Sequence, residues 1–389
     1  MTRLNKMMFF SALIAVLFGS FSLAAAQTLA STPVPIDEAN LAVISADNIG
    51  QLKSLGSLSM NTFYGFSPDS KTLFYTDSDG KLYAWDFTAG KISATIPTTH
   101  SDKYLSADTK TLIVINGSII ETWDTASAQM TKTVPIDLPA QHYGLTFSTL
   151  GKFVAFVDTN IYPNPPYTMY DTATGKALFT FPTSRDIDGA STFTPDDKAV
   201  LVSGLRGDMQ FMDTTSGQIL WTFHSDNVNG GQILFSPDGH VLAIRGPFGA
   251  TDLVDTTNGK VLATIPGDTT GQHYSNGAVF SPDSQTFWLL NDSGAETAYD
   301  LTGKAGATIQ ADSGTPATFN FNADGSLVAL LINQSLLEFA DVASAKIVGK
   351  VTLDSDPNVP VYSTRFSPDG KLLMVIAYGS TITLWGIAG

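Results

Sequence analysis

Phe235-Ser236-Pro237-Asp238-Gly239 is one member of a series. Phe66-Ser67-Pro68-Asp69, Phe280-Ser281-Pro282-Asp283 and Phe366-Ser367-Pro368-Asp369-Gly370 repeat it closely. Phe193-Thr194-Pro195-Asp196, Phe321-Asn322-Ala323-Asp324-Gly325, Phe147-Ser148-Thr149-Leu150-Gly151 and Leu105-Ser106-Ala107-Asp108 repeat it loosely. The first residues of the eight stretches stand 39, 42, 46, 42, 45, 41 and 45 residues apart. Each stretch reads as a tight turn: proline presets the backbone angle, the aspartate bonds nearby amides, and glycine supplies a positive φ. Outward from Phe235, apolar strands are expected over 231–235 and 241–244, and a third ends at Leu253-Val254-Asp255. A second turn, Thr256-Thr257-Asn258-Gly259-Lys260, leads to a fourth strand over 261–265. Four alternating strands punctuated by turn residues make one antiparallel sheet.

Such a sheet cannot bury both its faces alone. A period of about 40 to 45 residues therefore predicts an all-β chain of stacked sheets, a single closed β-propeller. The aspartate that closes the third strand keeps the count: Asp86, Asp124, Asp171, Asp213, Asp255, Asp300 and Asp341 follow their anchors by 20, 19, 24, 20, 20, 20 and 20 residues. The one long interval holds Asn160-Ile161-Tyr162-Pro163-Asn164-Pro165-Pro166, and insertions collect in loops. The eighth unit has Gly386 in place of the aspartate and only three strands. Its fourth strand is expected from residues 51–58, which would pair with the third strand of the last unit and close the ring without exposed edges. Eight four-stranded blades of about 44 residues follow, with seven blades of about 51 as the alternative.

Ahead of the repeats, Arg3 and Lys6, an apolar run over 7–18, and Ala24-Ala25-Ala26 read as a signal peptide over 1–26. A lead-in over 27–50 and the propeller over 51–389 complete the division. The mature chain is expected to be exported, whether secreted, periplasmic or in the cell envelope, with no membrane span. There are no cysteines, so neither disulfides nor thiol chemistry is available. The net charge of −15, with 36 acidic and 21 basic residues and no basic stripe, argues against nucleic acid as a partner.

Tyr83-Ala84-Trp85-Asp86 and Glu121-Thr122-Trp123-Asp124, taken with the Phe-Ser-Pro-Asp-Gly turns, resemble the WD-repeat propellers, and Leu384-Trp385 matches in part. The resemblance covers nearly the whole mature chain. It implies a propeller that serves as a binding platform, and it implies little about activity. Asp171-Thr172-Ala173-Thr174-Gly175-Lys176, Asp213-Thr214-Thr215-Ser216-Gly217-Gln218 and Asp255-Thr256-Thr257-Asn258-Gly259-Lys260 are similar to the turns of quinoprotein dehydrogenase propellers. Trp221 stands where those proteins carry docking tryptophans. Other blades lack that tryptophan, and the chain lacks the cysteine pair of the alcohol dehydrogenases in that group. Turn chemistry accounts for the motif by itself.

The two kinds of repeated turn fall on one face of such a ring and read as structural. The opposite face, built from loops between blades and between second and third strands, is where the sequence varies. His100, His142, His224 and His273 are expected in its inter-blade loops. Gln141-His142-Tyr143-Gly144 and Gln272-His273-Tyr274-Ser275 echo each other, either as groups over the channel that clasp a polar ligand or as duplicated histidines bonded within their blades. With Arg185 and Asp188, residues His100, His142, Tyr143, His224, His273 and Tyr274 form the candidate binding set. Asp77-Ser78-Asp79-Gly80 supplies a fragment of a calcium loop without the closing glutamate, so a plain Asp-Gly turn and no cofactor are expected, with calcium as the alternative.

No nucleophile elbow, metal-spaced histidine pair or phosphate-cradling glycine loop is present. The sequence thus points to an exported, monomeric, non-catalytic scaffold that binds a protein or peptide through its variable face. The alternatives are a metal-dependent propeller hydrolase or lactonase and, further off, a quinone-dependent oxidoreductase.

Overall fold

Every Phe-Ser-Pro-Asp-type turn joins the first and second strands of its own sheet, and every turn after a third-strand aspartate joins the third and fourth. The computed structural model describes residues 36, 40–100, 102–138, 142–158, 166–182, 191–203, 208–225, 232–246, 250–267, 277–290, 294–353, 360–378 and 381–389. All of them belong to the compact unit Thr32–Gly389. In the fifth blade, strands Gln232–Phe235, Val241–Arg245, Thr251–Asp255 and Val261–Ile265 pair in sequence order, all antiparallel. The second strand is buried along its whole length, whereas the fourth is mostly exposed, as befits the outer edge of a blade. Seven further sheets repeat the plan, so the chain is an eight-bladed β-propeller and the seven-bladed alternative is set aside. Among the described residues no helix is long and apolar enough to cross a membrane.

The last blade closes as expected from the missing strand. Val361–Phe366, Leu372–Ala377 and Thr381–Ala388 are its first three strands, and Lys53–Ser59 pairs antiparallel with the third, from Lys53 opposite Gly386 to Ser59 opposite Thr381. The strand starts two residues later than the sequence suggests because Ile49–Gln51 forms a 3-10 turn. A short strand not foreseen, Leu41–Ala42, adds to the same edge opposite Ala388 and Ile387. These additions explain Gly386. The third strand here runs on with no turn to cap, and a Cβ at Gly386 would lie 2.8 Å from the Leu55 side chain and 3.3 Å from that of Leu41. Ile44, Ile49 and Leu52 bury themselves against Leu337, Phe339, Leu373 and Val375 of the last two blades.

The third-strand aspartates all end their strands, and their carboxylates accept bonds from the turn that follows. Asp213 accepts from the amide of Ser216 at 2.7 Å and from its hydroxyl at 2.8 Å, and Asp255, Asp300, Asp124, Asp171, Asp86 and Asp341 do likewise with their own turns. In the first turn, Ser236 Oγ donates to Asp238 at 2.6 Å and accepts from Val241 N at 2.9 Å, a pattern repeated at Ser67, Ser106, Thr194, Ser281 and Ser367.

The third blade has Leu150 where that aspartate belongs. Its turn is completed from the next blade by Asp197, which is 2% exposed and holds a φ of 61° where four other blades have glycine. Ser148 Oγ and Leu150 N both donate to the Asp197 carboxylate, at 2.7 and 3.0 Å. Ser70 and Ser284, at the same turn position, reach back in the same way to the amides of Asp369 and Asp238. Replacing Asp197 with glycine should therefore cost about 2–3 kcal/mol in denaturant unfolding, since a buried carboxylate with charge-assisted bonds is lost. Adding Leu150→Asp, which restores the third blade's own turn aspartate, should recover most of it; no recovery in the double variant would refute the substitution between blades.

Candidate functional site

The sequence-nominated residues do not form one cluster among those described. His100 lies part-buried in the stretch between the first two blades. His142 and Tyr143 open the first strand of the third blade, opposite Asp158 and Val157, rather than standing in a loop, because ladder pairing extends that far. His224 likewise ends a fourth strand, and its Nδ1 lies 2.7 Å from Oδ1 of Asp208 directly across, both side chains exposed. Arg185, Asp188, His273 and Tyr274 lie outside the described residues. In the Asp77–Gly80 turn, Asp77 Oδ1 accepts from Asp79 N and Lys81 N, and Oδ2 accepts from Tyr83 Oη at 2.8 Å. That bond to the carboxylate is the main reason the Tyr83 phenol is pushed up to about 12. The Asp77 carboxylate is thus engaged by its own hairpin. No group of three or more His, Asp or Glu side chains able to hold a metal occurs among the described residues.

Two glutamates nevertheless lie buried on the third strands of the sixth and seventh blades. Glu338, on Leu336–Asp341, is wholly buried and pairs with Lys350 at 2.9 Å, while its other oxygen accepts from Asp312 N at 2.8 Å. Burial raises its pKa, but the bonds from Ser313, Lys350 and the Asp312 amide outweigh that and leave the carboxyl below its ordinary value. Glu296, on Ala295–Asp300, is equally buried, yet neither carboxylate oxygen has a hydrogen-bond partner among the described residues. Burial pushes it up to about 8, so at neutral pH it is a protonated acid. It stands four residues before the third-strand aspartate. The same position elsewhere holds Leu82, Ile120, Tyr167, Met209, Thr251 and Leu337, each at most 1% exposed. Leu290 and Ile309, its partners on the two flanking strands, belong to the apolar core between the sixth and seventh blades, which places Glu296 against that core. The exception was open to sequence reading, because aligning the repeats alone puts a glutamate among core residues.

Above that core, on the face of the repeated turns, a cleft of about 480 Å³ opens between the two blades. Its floor includes Trp288, Ala298 and Phe321, its wall Ala305, Gly306 and Ala307, and its rim Asp283, Asp300, Asp324 and Lys304. Ala298 is two residues beyond Glu296 on the same strand face, about 7 Å along it. The rim carboxylates are each held below the ordinary range, first of all by bonds from the hydroxyls of Ser281, Thr302 and Ser326. They therefore stay negative at neutral pH, against the one lysine.

The cleft exists because three positions that carry rings in other seams carry methyl groups here. Between the fourth and fifth blades, Trp221 stacks on Phe211 with ring centroids 4.5 Å apart and donates Nε1–H to Thr256 O at 2.7 Å. A Cβ at Gly259 would be 2.8 Å from that indole, so the glycine is required there. Strand register equates Phe211 with Ala298 and Trp221 with Ala307. Where the first blade also has alanines, Ala84 and Ala94, Trp123 of the second blade packs in; where the fifth has Ala263, Tyr299 of the sixth does. The seventh blade has Ala340 at that place. Sequence reading set the turn face aside as structural, and so passed over a departure written in alanines.

No protein-family model matches the chain, and no curated protein matches its sequence. Solved structures do match. One of them, described as the crystal structure of the eukaryotic initiation factor, aligns with a TM-score of 0.56 over 81% of this chain and 81% of its own, at 13% identity. Such a likeness is one of fold, and propellers carry unrelated functions.

Proposed function

We propose that the protein is an exported, non-catalytic propeller that acts as a platform for a protein or peptide partner. The observation that supports this reading is the open cleft between the sixth and seventh blades, an apolar hollow with a charged rim on a ring whose comparable seams hold aromatic side chains. Concave apolar surface with a few placed polar groups is what binding sites are made of. The face opposite the repeated turns, for which the sequence nominates His100, His142, Tyr143, His224, His273 and Tyr274, is a second candidate contact surface of the same platform. Affinity capture from the native medium or envelope, with the purified protein as bait, tests the reading. A single partner recovered in stoichiometric amount and competed by free protein is the expected result. Failure to capture any partner, together with turnover of lactones or a dye-linked oxidation by the pure protein, would replace it with an enzymatic function.

A further inference from the structure

The seam between the sixth and seventh blades has the mould of an aromatic side chain without the side chain. In the fourth blade the wall position is Trp221, which fills the space above Phe211, reaches the Thr256 carbonyl and presses on Gly259. In the third, Phe179 fills the corresponding place against Gly217, where a Cβ would come within 2.5 Å of the ring. In the sixth, Ala307 leaves it empty, and the carbonyl in the place of Thr256 O is that of Val342, which lines the cleft. The seventh blade's turn carries the same mark. It has Ala345, at a φ of 54°, where Gly217 and Gly259 make way for a ring. With no ring of its own chain to accommodate, that turn is free to carry a methyl group.

Charge narrows the occupant. Three carboxylates, Asp283, Asp300 and Asp324, surround the opening against Lys304 alone, on a chain whose net charge is −15. An anionic rim favours a cationic segment by attraction and steers its approach. The apolar floor of Trp288 and Phe321 favours a flat ring, which gains both burial and edge or face contacts with them.

We propose that this cleft binds an aromatic side chain, tryptophan foremost, presented by a partner segment with basic residues on either side of it. The proposal rests on the reading of the protein as a peptide-binding platform and names the chemistry of what is bound. The partner's ring lies on the Trp288 and Phe321 floor, beside the place that Trp221 takes one seam away and clear of the Ala345 methyl group.

Ligand-observed NMR with three capped tripeptides, Lys-Trp-Lys, Lys-Ala-Lys and Glu-Trp-Glu, tests this on the full-length protein. Lys-Trp-Lys should bind saturably with a Kd on the order of 1 mM or below, and the other two at least tenfold more weakly. The variant Ala307→Trp combined with Ala345→Gly rebuilds the arrangement of Trp221 and Gly259 and should close the cleft, abolishing the binding while leaving the unfolding temperature equal or higher. A second plug, Ala298→Phe, covers the case in which the first does not fold. Absence of saturable binding, or binding that survives a folded plug, overturns the proposal, and equal binding of Glu-Trp-Glu overturns its basic component. If the tripeptides fail while the plugged protein still captures its native partner, the platform reading stands and only the aromatic cleft is refuted.

Discussion

Glu296→Leu is expected to stabilise the protein by about 3 kcal/mol at pH 7, with the gain growing to about 5 kcal/mol above pH 8 and shrinking below about 1 kcal/mol at pH 5. The sign follows from where the proton sits. In the folded chain burial pushes the Glu296 carboxyl up to about 8, from an ordinary value of 4.5. Between these values the folded state keeps a proton that the unfolded state has released, so wild-type stability falls as pH rises through that window and levels off above it. Leucine removes the titration and suits the place, since Leu82 and Leu337 occupy it in the first and seventh blades. Unfolding in urea at pH 5, 7 and 9 measures the gap between variant and wild type at each. Glu296→Gln, neutral and of nearly the same shape, should show the same widening gap with a smaller offset, because its amide stays unpaired. A gap that does not change from pH 5 to pH 9 would mean that Glu296 is ionised in the folded protein.

Removing residues 1–60 should have the larger consequence, the loss of a cooperative folded state. Lys53–Ser59 is the outer strand of the last blade, and without it Thr381–Ala388 becomes an open edge. Ile382 and Leu384, now 0% and 2% exposed, would lose their cover, together with the apolar cluster in which Leu58 and Met60 pack against Met374 and Ile376. An open, apolar edge strand also invites pairing between chains. Calorimetry should show a broad or absent transition, and size-exclusion chromatography should show aggregates. Restoration of a monomer with a sharp transition on adding a peptide of residues 40–60 is expected; a truncated chain that melts cooperatively by itself would show that the closing strand is dispensable.

Much of this was legible in the chain because it is local. The Phe-Ser-Pro-Asp and Asp-Thr-x-x-Gly turns name their own hydrogen bonds, and counting between them gave eight blades and the missing strand, all of which the sheets contain. Gly386 was visible as an exception, but its cause lies in Leu41 and Leu55, more than three hundred residues away in the chain. The Asp197 carboxylate that completes the turn at Leu150 is likewise 47 residues off and reads as an ordinary loop acid until the blades are set side by side. The candidate cleft was harder still. Ala298, Ala307 and Ala340 are unremarkable as letters, and they become a hollow only because adjacent blades bring them to one seam where other seams hold Trp221, Tyr299 or Trp123.

By itself the sequence determined the blade, the number of blades and the strand that joins the chain's ends, since turn chemistry and period-two alternation act over a few residues and repeat. Only the tertiary structure decided which seam is unfilled, which turn borrows a carboxylate from its neighbour, and that the acid at Glu296 is buried with no hydrogen-bond partner among the described residues. Those outcomes depend on volume and solvation between blades, quantities to which residues from two distant stretches contribute together and which neither stretch encodes alone.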